Sequence, residues 1–228
     1  MNYSNKEIEK NLLKTATDPG LVDVIKDYSE LGLEAIFNTE LVEVIPVVRS
    51  VSAVLKGVAT IQDRMFLKKL ASFLTNANKM SIDERDAWYD KYISGDEKLE
   101  ETIADKLLIM INAVNDNYKA EIIGKLFMAF VKGDVQSTEH FFYMTELVEG
   151  CFTDILKGLS EGREMNDEAL FRVGIKHASN TTGGDIEEML AKSQRMSRMG
   201  MSSNPDLPTR SASLTPAGEL LVHVLRTY

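Results

Sequence analysis

A single cysteine in 228 residues, Cys151, excludes an internal disulfide and any zinc site built on several thiolates, and it fits a reducing compartment. Proline is scarce until the end: three of its five occurrences follow residue 204, so most of the chain lacks the residue that breaks helices. Signatures of chemistry are missing as well. There is no Gly-rich loop followed by Lys-Ser/Thr, no pair of histidines at metal spacing, no Gly-flanked serine nucleophile and no Asp/Asn calcium loop. His140, His177 and His223 stand far apart in sequence, each without companion ligands. No charged n-region with an apolar core and a small-residue cleavage site opens the chain at Met1-Asn2-Tyr3-Ser4, so a cytoplasmic location is expected. These gaps predict a protein that is not an enzyme, with no catalytic residue, cofactor or metal.

What the chain does have is helical periodicity and an uneven charge. At 44% hydrophobic and 27% charged residues it is long enough to bury a real core. The net charge is −9, yet residues 166–228 hold seven Lys/Arg and seven Asp/Glu, so the whole excess falls on residues 1–165. That part should repel a phosphate backbone, which leaves the near-neutral tail as the place for nucleic-acid contact.

Spacing places the helices. Ser4 with Glu7 and Ser81 with Glu84 have the separation of capping boxes. Asp18-Pro19-Gly20 starts a second helix with Leu21, Ile25, Leu31 and Ile36 among its apolar positions. From Pro46 apolar residues recur at three and four through Leu74, which predicts one spine helix of about thirty residues, roughly 45 Å long. Its Val51, Val54, Leu55 and Val58 should be buried, and Ser50, Ala53 and Gly57 form a small-residue strip suited to close helix approach. Further helices follow around Leu99–Val114 and Ile122–Phe130. Asp96, Glu97, Glu100, Glu101 and Asp105 lie at a helix start, where the dipole favours negative charge. Ser137 should cap a long helix through Leu159 on which Phe141, Phe142, Phe152 and Leu156 point in several directions, so it is either central in its own domain or a self-association face of a homodimer. Cys151 on that helix reads as a small core residue rather than a nucleophile.

The polar joint Ser160-Glu161-Gly162-Arg163-Glu164 marks a domain boundary. Beyond it come a short helix from Asn166, a helix from Asp185, a Met/Ser/Pro-rich mobile loop at 196–208, and an extended run, Thr209 to Leu214, that feeds a last helix capped by Thr215 with Pro216 in its first turn. Helix, helix, hairpin, helix is the outline of a winged helix. Lys192, Arg195 and Arg198 fall three apart before the wing and are the candidate nucleic-acid or partner contacts, although Asp185, Glu187 and Glu188 occupy the turn that would approach DNA, so protein contact is preferred. Leu41–Gln62 is the candidate membrane segment, but Glu43, Arg49 and Lys56 interrupt it well short of the ~20 apolar residues that a spanning helix needs.

Leu214-Thr215-Pro216-Ala217-Gly218 resembles the strand-to-helix passage that ends the wing in winged-helix regulators of the multiple-antibiotic-resistance type. Leu170, Val173-Gly174-Ile175 and Leu214-Thr215 with Gly218 are similar to the C-terminal portion of Abi-alpha, a bacterial family associated with phage resistance. Asp63 to Leu70 and Gly124-Lys125-Leu126-Phe127 resemble uncharacterised helical proteins of bacterial and phage genomes. The resemblances imply a prokaryotic or phage setting and an antiviral context, and they carry no catalytic residues.

The expectation is a mainly α protein: a multi-helix bundle over residues 1–160 and a small winged-helix-like α+β module over residues 166–228. Its expected function is that of a non-enzymatic interaction protein of phage defence or abortive infection, binding a protein partner or a second copy of itself. A membrane-perturbing effector using 41–62 and a DNA-binding winged-helix regulator are the alternatives.

Overall fold

The computed structural model describes residues 6–55, 60–93, 95–178 and 212–228, and most of its helices begin where the sequence offers a cap. Helix α1 spans Lys6–Ala16; Ser4, the expected cap residue, lies outside the described residues. Asp18 accepts the Gly20 N–H at 2.9 Å and opens a 3-10 turn, Pro19–Leu21, which leads into α2 (Val22–Glu30). Turns carry the chain to α3 (Leu41–Val44) and α4 (Pro46–Leu55). Capping boxes at Thr60/Asp63 and Ser81/Glu84 start α5 (Ile61–Ala77) and α6 (Ile82–Trp88), the second extended by a π-helical turn, Tyr89–Ile93. Asp96 caps α7 (Glu97–Ala113) and Asp116 caps α8 (Asn117–Lys132), which ends on the left-handed Gly133. Ser137 caps α9 (Thr138–Gly150); α10 (Thr153–Glu161) and α11 (Asp167–Arg172) follow. The chain is mainly helical, with one two-stranded sheet among the described residues.

The centre of the core is the crossing of α5 and α8. Gly124 makes it close: a Cβ there would collide with the Phe73 carbonyl oxygen and lie 3.0 Å from Asn76 Cβ. Around the crossing stands an aromatic cluster in which Trp88 meets Phe127 and Phe130 edge-on at 5.5 and 5.7 Å, and Phe130 stacks on Phe141 at 5.2 Å. Helix α1 packs on α4 and α7, and α2 packs on α5.

Strand β1 (Lys176–Ala178) pairs antiparallel with β2 (Ala212–Leu214), in the register Lys176 to Leu214, His177 to Ser213 and Ala178 to Ala212. Among the described residues, then, the partner of the expected extended run is a strand that precedes 179–211. Thr215 caps α12 (Pro216–Thr227) by accepting the Gly218 N–H at 3.0 Å, and its own N–H donates to the Ile175 carbonyl at 2.8 Å. Gly218 allows that approach, since a Cβ would collide with the same carbonyl oxygen. Helix α12 packs on α10 and α8, so Leu221, Val224 and Leu225 join the core that the earlier helices build.

Several expectations are corrected. The single spine helix is two helices, because the Thr60/Asp63 capping box starts α5 afresh and the two halves face different neighbours, α4 meeting α1 and α5 meeting α8. Val51 and Leu55 are buried as expected, but Val54, in the last turn of α4, is 44% exposed; Val58 lies outside the described residues. Of the small-residue strip, Ser50 is buried and accepts from Asn11 Nδ2 at 2.8 Å, Ala53 is exposed and Gly57 is outside the described residues, so close approach belongs to Gly124 instead. Helix α2 stops at Glu30; Ile36 reaches the core from a turn, where its carbonyl accepts the Tyr28 hydroxyl at 2.9 Å. The long helix through Leu159 breaks at Cys151 and Phe152, both extended, with the Cys151 N–H closing α9 on the Leu147 carbonyl.

Candidate interaction surface

The destination of the cations decides much of what the surface can do. A helix ends with carbonyls that have no partner within the helix and with a negative dipole end, and in this fold cations from other elements supply the missing donors. Lys68 Nζ donates to the Ser29 carbonyl of α2 at 2.6 Å, and Lys69 Nζ donates to the Asn112 and Val114 carbonyls at the end of α7 at 2.6 and 3.0 Å. Lys119 Nζ reaches the Glu149 carbonyl of α9 at 2.7 Å. Arg226 donates Nε and Nη2 to the Leu159 carbonyl of α10 at 3.2 and 3.1 Å. Burial lowers the affinity of Lys68 and Lys69 for their protons. Sequence reasoning missed all four, because their partners are backbone atoms far along the chain; the only signal was a lysine set among apolar residues, as in Lys68-Lys69-Leu70.

Of the four candidate self-association residues, Phe141, Phe142 and Leu156 are buried within the chain's own core. The apolar excess of the 138–159 region is thus absorbed by a central position, and these three are corrected to core residues. Phe152 is the exception, at 75% exposure. It occupies the N-cap position of α10, makes no side-chain cap bond there, and stands on the two-residue extended joint between α9 and α10. The joint is held from below: Asp116, already the cap of α8, also accepts the Thr153 hydroxyl. Beside Phe152 opens a hollow of about 380 Å³ whose walls include Asn115, Lys119, Glu149 and Asp154. Glu149 and Asp154 are exposed, and among the described residues neither has an ion pair. The result is a fixed aromatic knob with an acidic rim.

Lys192, Arg195, Arg198 and the 196–208 loop lie outside the described residues. The β1–β2 ladder brings residues 178 and 212 side by side. In 41–62, Val42, Ile45, Val47, Val48, Val51 and Leu55 are taken up by the core, while Val54, Ile61 and, just beyond, Met65 are exposed. No described helix is long and apolar enough to cross a membrane.

The histidines make small polar contacts. His223 Nε2 lies 3.4 Å from Asp134 Oδ2 and its Nδ1 lies 3.4 Å from Thr227 Oγ1, a spacing that looks like a triad. The same Asp134 oxygen accepts the Tyr228 hydroxyl at 2.6 Å, the group is half exposed, and the contacts tie α12 to the α8–α9 turn. Burial and the neighbouring Asp134 raise the Tyr228 pKa. His177 faces Ser213 across the ladder at 3.3 Å, and His140 lies on α9 with its N–H donated to the Ser137 cap. Burial pushes the Cys151 thiol up to about 11 despite the Lys119 ammonium nearby. Among the described residues no three His, Cys, Asp or Glu side chains gather as metal ligands.

No protein-family model matches the chain, and neither a curated protein nor a solved structure matches it.

Proposed function

We propose that this protein works by contact with another protein, through the Phe152 surface, rather than by catalysis. The observation that carries the reading is Phe152 itself: a phenylalanine 75% exposed on an ordered joint, in a fold whose Phe66, Phe73, Phe127, Phe130 and Phe141 are fully buried. Covering one such side chain is worth about 1.5–3 kcal/mol, enough for a binding anchor. Glu149 and Asp154 beside it favour a partner with cations around an apolar socket over a second copy, which would bring like carboxylates face to face across a two-fold axis. The resemblance of the C-terminal quarter to Abi-alpha supports phage defence as the setting.

A photoreactive phenylalanine analogue at position 152, irradiated in the native host with and without phage, tests this. One discrete adduct with a different, basic protein is expected. Adducts only with the chain itself, or none above background, overturn the reading.

A second reading rests on the exposed Val54, Ile61 and Met65, which favour contact of the 41–65 region with a lipid surface. Leakage of dye from anionic vesicles at micromolar protein supports it; intact vesicles remove it. A DNA-binding role has less support, since Asp185, Glu187 and Glu188 stand just before the candidate cations in the sequence and the whole excess of negative charge falls on residues 1–165. Replacing Lys192, Arg195 and Arg198 by alanine would weaken any DNA complex and flatten its salt dependence if those residues touch phosphates.

A further inference from the structure

The end of α10, α11, the β1–β2 ladder and α12 surround a hollow of about 720 Å³. Sites for small organic ligands span ~300–1,000 Å³. Its wall is of two kinds. Leu159, Met165, Leu214 and Val222 supply an apolar part, three of them only partly buried, and among the described residues no aromatic side chain lines it. Strand alternation turns the ladder's polarity: the register partners Lys176 and Leu214 face the hollow, and the pair between the ladder's ends, His177 and Ser213, does not line it.

Among the described residues, three cations stand around the hollow, Arg163, Lys176 and Arg226, against two carboxylates, Glu164 and Asp167. Lys176 is engaged by Asp167 at 2.7 Å and Arg163 by Glu161 at 2.6 Å. Arg226 is different. Its Nε and Nη2 share the single Leu159 carbonyl, and among the described residues it has no carboxylate partner. A guanidinium carries five N–H donors, so most of its donor capacity is left over. It is also held in place against Gly162, where a Cβ would stand 3.3 Å from Nη2 and where φ is +70°.

We propose that this hollow binds an organic monoanion with an aliphatic body, of the class of medium-chain carboxylates. The carboxylate meets the spare donors of Arg226, and the chain lies along Leu159, Met165, Leu214 and Val222. Arg226 is the lining cation without a carboxylate partner among the described residues, which suits one negative charge; a second would meet Glu164 and Asp167. The aliphatic side chains of the described lining suit an alkyl chain rather than a ring.

Calorimetry on the full chain with decanoate and with decyltrimethylammonium, the same tail bearing the opposite charge, tests the site. Decanoate should bind at one site at least tenfold tighter than the ammonium compound. Ala212→Trp, which fills the hollow from the ladder, should abolish decanoate binding, and Arg226→Gln should weaken it about tenfold. Because Arg226 also caps α10, circular dichroism must show each variant folded before its affinity is compared; the charge comparison on the unaltered chain stands whatever the variants do. No decanoate heat at millimolar concentration, equal binding of the two charges, or a folded Ala212→Trp that keeps its affinity overturns the proposal.

Discussion

Gly124→Ala sets two physical effects against each other. In a solvent-facing helix the change stabilises by about 1 kcal/mol, because alanine loses less backbone freedom than glycine. At position 124 the added methyl collides with the Phe73 carbonyl oxygen, with Asn76 Cβ at 3.0 Å and the Ala77 nitrogen at 3.2 Å. Those neighbours are mostly backbone, which cannot swing aside as a side chain can, so α5 and α8 must separate. A gap of ~0.5–1 Å forfeits a quarter to a half of the attraction of every atom pair across the crossing, and overpacking of this kind costs about 1–3 kcal/mol. Taking the upper end because the obstacle is backbone, the net loss is about 2 kcal/mol, a fall in melting temperature of roughly 4–8 °C for a chain of this size. Gly150→Ala is the control, since nothing lies within 4 Å of the added methyl there. Urea unfolding followed by circular dichroism separates the two. A Gly124→Ala protein as stable as its parent would refute the close crossing.

Other consequences are testable with the same preparation. Val54→Asp should change stability by less than about 1 kcal/mol, whereas Val51→Asp should cost more than about 3 kcal/mol by placing an unpaired charge in the core; equal effects would contradict the different burial of the two side chains. Burial raises the Tyr28 pKa in the folded state, so its contribution is complete below the unfolded value of 10.0 and is lost as pH rises above it. Tyr28→Phe should therefore flatten the alkaline loss of stability while costing about 1 kcal/mol at neutral pH for the missing bond to Ile36; an unchanged alkaline limb would sink that linkage. Cys151 should resist Ellman's reagent at pH 8 in the folded protein and react fully in urea, and rapid reaction of the native protein would contradict its burial. Phe152→Ser should unfold within about 0.5 kcal/mol of the parent, because an exposed side chain contributes little to the core; a loss of 2 kcal/mol or more, on the scale of burying a side chain, would show it packed.

Local chemistry was legible in the sequence and long-range geometry was not. The Ser81/Glu84 box and the Ser137 and Thr215 caps act within a few residues, and each sits where its spacing placed it. Periodicity misled where two helices carry one rhythm: Val47 to Leu74 reads as a single stripe although Thr60 restarts the helix. The break at Cys151-Phe152 was hidden for a related reason, since both residues are apolar and continue the pattern that the backbone abandons. Gly124 and the cap-forming lysines depend on atoms 43 residues or more distant in some cases, such as Lys69 to the Asn112 carbonyl, and no local rule marks them. Within the candidate surface, Phe152 was singled out with Phe141, Phe142 and Leu156 on hydrophobicity alone; only the bend between α9 and α10 distinguishes the exposed one.

The central claim is that the chain's own core absorbs its apolar helices and leaves Phe152 for a different protein. Light scattering of the purified chain at micromolar concentration tests it most directly. A monomer of 25.5 kDa is the expected result. A mass twice that, falling to the monomer's when Phe152 is replaced by serine, would show that a second copy covers the knob and would contradict the account.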